Sequence, residues 1–141
     1  MDANDQSLSL PKWINQLQSP NSTKRLDAAA RLSQLGAAAS PAVGALIKTL
    51  RDEEAVVRKM ATLALGDIGP QATKAVPELV SATEDDDPTV RRRAVVALGE
   101  IGTEDALTAL EAIATGEDEI LRQVAYESLV SLEETRKRRA A

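Results

Sequence analysis

The sequence contains nearly the same thirteen residues twice, VRKMATLALGDIG at 57–69 and VRRRAVVALGEIG at 90–102. Eight of the thirteen positions are identical between the two segments. Self-similarity at a fixed period of about 20 to 50 residues is typical of repeat proteins, in which each unit buries its apolar face against its neighbours. The period therefore limits the fold to stacked copies of one supersecondary unit.

The same period can be followed along the whole chain from the arginine near the start of each segment. Each such arginine is followed by an alanine three residues later and a leucine seven residues later, which is the spacing of one helix face. The arginines are Arg25, Arg58, Arg91 and Arg122, evenly spaced except that the last interval is two residues shorter. The pattern predicts four helices, called the A helices, at about 21–35, 54–68, 87–101 and 118–135.

Residues typical of helix ends flank these segments. A glycine follows each of the first three, where a left-handed backbone conformation commonly ends a helix: Gly36, Gly69 and Gly102. A good N-capping residue precedes three of the four: Asn21, Asp87 and Asp118. Glu54 holds this position in the second unit, and we expect it to be a poorer cap.

A second apolar periodicity lies between the A helices and predicts B helices at about 41–51, 73–83 and 104–115. LPKWINQL at 10–17 aligns with VPELVSAT two periods later, which adds a B helix at the N-terminus. The predicted fold class is all-α, an α-solenoid of about four repeats with eight short antiparallel helices. We expect a flexible leader at 1–9, one repeat domain at 10–135 and a basic tail at 136–141; Met1 and the polar leader favour a complete short chain.

Composition argues against catalysis. The chain has no Cys and no His, so it lacks thiolate nucleophiles, disulfides and the commonest metal ligands. Its Ser and Thr residues have no partner base. We predict no catalytic residue, no metal site and no cofactor, and we expect that the protein is not an enzyme.

The pattern D-x4-VR-x2-A-x2-A-L-G-x-I-G, from Asp52 to Gly69, resembles HEAT-like repeats of the phycobilisome-lyase type. The next unit, from Asp85 to Gly102, matches equally well, and the resemblance covers residues 10–135. It implies a superhelix of helix pairs whose B helices line the concave face, where such repeats usually bind their partners.

The resemblance spans several functions: bilin attachment or removal, di-iron deoxyhypusine hydroxylation, alkylpurine DNA glycosylation and non-catalytic scaffolding. The hydroxylase site is built from His–Glu pairs, which a chain without His cannot form. The glycosylase function needs aromatic residues and a basic groove, whereas this chain has only Trp13 and Tyr126 and a net charge of −5. We therefore predict a protein–protein interaction scaffold; the alternative is an accessory subunit for phycobilin attachment or detachment.

The four aligned arginines allow two interpretations, a phosphate-binding stripe or an internal ladder. In the resembled repeats the equivalent arginine bonds to acidic groups and loop carbonyls of neighbouring units, and the guanidinium geometry suits this role. Acidic segments at 52–54, 84–87 and 117–119 precede three A helices. Because they recur before successive A helices, we favour helix initiation over a weak site for a cation or basic partner.

The predicted partner-binding surface is the solvent-facing side of the B helices. It comprises Lys12, Asn15, Ala45, Lys48, Glu78, Ser81, Ala109 and Ala112. This surface changes from polar at the N-terminal end to small and apolar at the C-terminal end. We expect that a partner helix or loop approaches closely there; the alternative is that the small residues only permit tight curvature.

The partner is predicted to be another protein. The net charge disfavours nucleic acid, and RKRR at 136–139 is better explained as a helix C-terminus that neutralises its dipole. The longest uncharged run, 32–47, is too short to span a bilayer, and the N-terminus lacks a signal-peptide pattern, so we expect a cytoplasmic protein. The last A helix has no B helix after it, which allows a monomer or a weak end-to-end dimer through Ile120, Tyr126 and Val130.

Overall fold

The computed structural model describes residues 9–141, and within them the chain forms eight α-helices and no strand. The predicted leader lies outside the described residues except for Ser9. The helices are α1 (Leu10–Gln16), α2 (Ser22–Leu35), α3 (Val43–Thr49), α4 (Ala55–Ile68), α5 (Val76–Ala82), α6 (Pro88–Ile101), α7 (Glu104–Ala114) and α8 (Glu119–Ala140).

The helices form two layers. The A helices α2, α4, α6 and α8 pack side by side in chain order, and each B helix packs against the A helix that follows it. The alanine of each A helix, at 28, 61, 94 and 125, is fully buried, and such small side chains allow neighbouring helices to approach closely. The predicted all-α solenoid of eight short helices is confirmed.

The A helices begin as the sequence predicts. The Asn21 Oδ1 atom accepts hydrogen bonds from the backbone N–H groups of Thr23 and Lys24, and Asp87 caps α6 in the same way. The side chain of Glu54 makes no such bond, which confirms the weaker cap of α4.

The A helices end at the predicted glycines, but the connections that follow differ. Gly36, Gly69 and Gly102 have φ values of 56°, 80° and 60°, a region that strains other residues. Gly36 and Gly69 have ψ values of −134° and −144°. Each of them begins a seven-residue 3-10 segment, Gly36–Ala42 and Gly69–Ala75. These segments delay the starts of α3 and α5 relative to the predicted B helices.

The third connection is the short one. Gly102 is left-handed with ψ of 14°, and Thr103 directly caps α7 by accepting a hydrogen bond from the backbone N–H of Ala106. The shortening of the last repeat interval therefore replaces a 3-10 segment with a capped α-helix.

The last A helix is longer than predicted, because α8 continues to Ala140 and includes residues 136–140 of the expected tail. Arg136 Nη2 lies 2.9 Å from Glu104 Oε1 of α7, and further basic residues occupy the last turn, where they complement the helix dipole. None of the helices within residues 9–141 combines the length and apolar composition needed to cross a membrane.

Candidate interaction surfaces

Each of the four aligned arginines, called the ladder arginines, donates from Nη1 to a backbone carbonyl six residues earlier, in the loop before its own helix. The bonds run from Arg25 to Ser19 (2.8 Å), Arg58 to Asp52 (2.8 Å), Arg91 to Asp85 (2.7 Å) and Arg122 to Gly116 (3.0 Å). These bonds fix each guanidinium against the loop of its own unit.

Two ladder arginines also bind a carboxylate of the next unit through two hydrogen bonds. In the first unit, Arg25 Nε and Nη2 lie 2.7 and 3.2 Å from the Asp52 carboxylate oxygens. In the second, the same atoms of Arg58 lie 2.9 and 3.0 Å from those of Asp85. All four side chains are largely buried, so these pairs join consecutive units away from bulk water.

The electrostatics of the second pair favour its charged form. The hydrogen bond to Asp85 raises the pKa of Arg58 above its ordinary value, despite burial. Burial alone would raise the pKa of Asp85, but the Arg58 hydrogen bond, the backbone N–H of Asp87 and the charges of Arg58 and Arg91 together lower it. The Asp85 carboxylate therefore remains ionised at lower pH than an ordinary aspartate, because its pKa is lowered.

The acidic residues of the loops also organise the starts of the A helices. Asp52 Oδ1 accepts a hydrogen bond from the backbone N–H of Glu54, and Asp85 Oδ1 accepts one from Asp87, each at 2.9 Å. The hydroxyl of Ser19 receives the equivalent bond from Asn21. Within residues 9–141, no group of three Asp or Glu residues is arranged to hold a metal ion.

The predicted partner-binding residues lie on successive B helices, and together they are called the B-helix face. Five are exposed: Lys12, Asn15, Lys48, Ser81 and Ala112. Three are half-buried: Ala45, Glu78 and Ala109. The two half-buried alanines pack against the core, so they point outward less than the sequence predicts.

The structure brings only some of these residues together. Glu78 Oε1 lies 3.0 Å from Arg51 Nη2 of the preceding unit, and Glu78 and Ser81 line one shallow cleft. Lys12 and Asn15 line a second cleft at the N-terminal end, and the Lys12 ammonium lies 4.9 Å from the centre of the Trp13 ring. The B-helix face is thus a row crossing several units and not one pocket.

The apolar residues proposed for a dimer seam are spread around α8. Ile120, Tyr126 and Val130 are 67%, 61% and 38% exposed. Tyr126 and Val130 are four residues apart and share one side of the helix, whereas Ile120 and Tyr126 are six residues apart, about 120° around it. Ile120 also borders a cleft between α6 and α8.

This α6–α8 cleft, of about 460 Å³, is the feature that sequence reasoning missed. It is lined among others by the three consecutive arginines Arg91, Arg92 and Arg93. The sequence signal was present, since Gly116 stands in the fourth unit where the second and third have Asp52 and Asp85.

Near the C-terminal ends of the A helices, one carboxyl group has a perturbed pKa. Burial, and secondly the charge of Asp67, raise the pKa of Glu100 above its ordinary value, against the opposing charge of Arg93. The hydroxyl of Ser33 donates to Asp67 from the preceding A helix, so polar contacts between units occur at these ends as well.

Comparison with known proteins identifies the repeat. The family profile described as HEAT repeats matches residues 10–75 and 45–130, which is most of the chain. The chain belongs to the HEAT-repeat family. No curated protein matches its sequence.

Solved structures show the same fold. An engineered protein superposes with a TM-score of 0.69 at 24% identity, and human deoxyhypusine hydroxylase with 0.73 at 27%, each over 89% of this chain. The chain spans only 62% and 43% of those two proteins. The complex of CpcE and CpcF of phycocyanin lyase from Nostoc sp. PCC7120 gives a TM-score of 0.55 at 19% identity, covering 86% of this chain and 98% of that one.

Proposed function

We propose that the protein is a non-catalytic scaffold that binds another protein on its B-helix face. The observation that carries the proposal is the register of exposed residues on successive B helices. Lys48, Ser81 and Ala112 occupy equivalent positions on α3, α5 and α7, and all three are exposed. A partner lying across this face contacts several repeats in turn, which is how repeat proteins build extended binding surfaces.

The side chains along this face change from long and polar to small. Lys12 and Lys48 lie on α1 and α3, whereas α7 presents exposed Ala112 beside half-buried Ala109. Short side chains allow a helix or loop of a partner to approach the backbone of α7 closely. The proposal therefore places the tightest contact at the C-terminal end of the face.

The test is affinity capture from a lysate of the organism that encodes the chain, with three forms of the protein as bait. The first is the wild type and the second carries Ser81→Arg and Ala112→Arg. The third is a matched control with Ala37→Arg and Ala38→Arg, which adds the same charge at positions outside the B-helix face. We expect one stoichiometric protein with the wild type and the control, and its loss from the second form at unchanged melting temperature.

Retention of that protein by the Ser81→Arg, Ala112→Arg form would overturn the assignment to this face. Visible absorbance distinguishes the scaffold from the alternative function, an accessory subunit for phycobilin attachment or detachment. Uptake of bilin colour by the protein, alone or with a captured partner, would favour that role. A colourless complex of two proteins supports the scaffold.

A further inference from the structure

Two of the ladder arginines bind a carboxylate at the same position of the repeat. Arg25 and Arg58 each hold one aspartate carboxylate through Nε and Nη2, at distances between 2.7 and 3.2 Å. Both aspartates come from the loop of the following unit. The repeat thus contains its own template for a bidentate guanidinium–carboxylate pair.

Arg91 has the same position without the aspartate. Its Nη1 atom donates to the carbonyls of Asp85 (2.7 Å) and Asp86 (3.2 Å), so the guanidinium is held as in the other units. The residue equivalent to Asp85 is Gly116, because its carbonyl accepts from Arg122 as that of Asp85 accepts from Arg91. Within residues 9–141, Arg91 Nε and Nη2 have no hydrogen-bond partner.

Arg91 lines the α6–α8 cleft, and the charged residues of this lining favour an anion. Three of the lining residues are arginines, Arg91, Arg92 and Arg93, against one acidic residue, Asp118. One oxygen of Asp118 accepts a hydrogen bond from the backbone N–H of Leu121 at the start of α8. Asp118 forms no ion pair within 4.0 Å of Arg91, in contrast to Asp85 and Arg58.

Most of the remaining lining residues are aliphatic, with Thr89 as the exception. Val96 of α6 and Ile120 and Leu121 of α8 line the cleft, and Ile120 is exposed over two thirds of its surface. A volume of about 460 Å³ exceeds that of an isolated carboxylate and falls within the range of ligand-binding pockets. The cleft accordingly suits a carboxylate attached to a chain that also contacts aliphatic side chains.

We infer that the α6–α8 cleft binds an aspartate or glutamate side chain of a second polypeptide, held by Nε and Nη2 of Arg91. The incoming carboxylate replaces the one that the repeat pattern supplies to Arg25 and Arg58. None of the lining residues belongs to the B-helix face, so this site goes beyond the proposed function and is tested separately.

The test follows the Nε–H resonance of Arg91 by NMR at moderate salt. The probe is the capped peptide ATEDDDP, the sequence of residues 82–88 that presents Asp85 to Arg58. The control peptide, ATQNNNP, has the corresponding amide in place of each of the four acidic residues. We expect the acidic peptide to shift this resonance and to bind about tenfold more tightly than either the control peptide or acetate.

Two variants of the protein complete the test. Gly116→Asp supplies the missing carboxylate in cis and should abolish peptide binding, and Arg91→Gln should do the same by removing the donor. Binding that survives in a folded Arg91→Gln variant would overturn the site. Acetate binding as tightly as the peptide would overturn the assignment to a polypeptide, and tighter binding of inorganic phosphate would overturn the preference for carboxylate.

Discussion

Arg58 and Arg91 occupy the same position in neighbouring repeats, and the hydrogen-bond partners of their guanidinium groups differ by one carboxylate. Both donate from Nη1 to the loop carbonyl six residues earlier, but only Arg58 also binds a carboxylate, that of Asp85. Glycine replaces that carboxylate in the last unit, at Gly116. The carbonyl bond is internal to a unit, whereas the carboxylate bond joins two units. The first contact is therefore present in both repeats, and the second is present only at Arg58.

Packing shows the same difference between the central and last units. The A-helix leucines Leu32, Leu65 and Leu98 are fully buried, whereas the equivalent Leu129 of α8 is half-buried. The first A helix, α2, packs against both α1 and the segment Gly36–Ala42, whereas α8 is followed by no further helix within residues 9–141, so its apolar stripe is incompletely covered. The junction between the third and fourth units therefore lacks the arginine–aspartate pair of the junction before it, and its core leucine in the last A helix is less buried.

The largest expected effect tests the packing difference. Leu98→Ala removes a fully buried side chain and should destabilise the protein by about 3 kcal/mol, whereas Leu129→Ala at the equivalent half-buried position should cost about 1 kcal/mol. Urea unfolding at neutral pH measures both, with Val56→Ala at an exposed position as the control. Equal losses for the two leucines would contradict the view that the last unit is packed more loosely.

A smaller effect is expected from breaking the ion pair between the central units. Asp85→Asn keeps an oxygen for the backbone N–H of Asp87 but removes the charge that Arg58 binds, and we expect a loss of about 2 kcal/mol at pH 7. Asp86→Asn is the matched control, because it makes the same charge change at an exposed neighbour. Thermal or urea unfolding of the three proteins gives the comparison.

The loss caused by Asp85→Asn should depend on pH in a defined direction. The folded-state pKa of Asp85 lies below its ordinary value of 3.8, so its stabilisation is complete above about pH 5. It disappears as the pH falls through the folded-state pKa, where the carboxylate takes up a proton. The wild type and the variant should therefore converge in stability once the pH has fallen below the folded-state pKa of Asp85. A difference that persists there would show that the charge is not its source.

The smallest effect sharpens the comparison by restoring the missing carboxylate. Gly116→Asp should stabilise the protein by about 0.5 kcal/mol, through a pair with Arg91 like that of Arg58 with Asp85. Gly116 does not have positive φ, and an added Cβ would lie 3.3 Å from the Ile113 carbonyl oxygen, so the backbone must yield slightly, at a cost that Gly116→Ala measures by itself.

Two controls isolate the contribution of this carboxylate. Gly116→Ala adds the same Cβ without charge, and the Arg91→Gln background removes the donor. The gain should appear in melting temperature only when the introduced carboxylate and Arg91 are both present. A gain of equal size in Gly116→Ala would assign it to backbone entropy.

Much of the fold could be predicted because its signals are local. The capping bonds of Asn21 and Asp87 and the positive φ of Gly36 involve residues a few positions apart, and a helix face repeats every three to four residues. The predicted starts and ends of the A helices therefore agree closely with the structure, apart from the extension of α8. The 3-10 segments were missed, because their sequences, GAAASPA and GPQATKA, carry no distinct period.

The candidate sites were less predictable because they join residues that are distant in sequence. The B-helix face could be placed by register, but the core packing of Ala109 and the pairing of Glu78 with Arg51 depend on how neighbouring helices sit together. The missing carboxylate at the α6–α8 cleft can be found in the sequence only by aligning Gly116 with Asp85 and Asp52, one and two units earlier. Periodicity alone does not reveal that comparison, since the last repeat interval is shorter than the two before it.

The sequence by itself determined the helical class, the number of units and the four ladder arginines, since repetition and helix capping follow from short-range geometry. Only the tertiary structure decided which acidic group each arginine binds. Asp52, Glu53 and Glu54 are all close in sequence, yet Asp52 alone forms the bidentate bond to Arg25. The choice depends on how precisely two consecutive units stack, because a bidentate hydrogen bond tolerates little displacement.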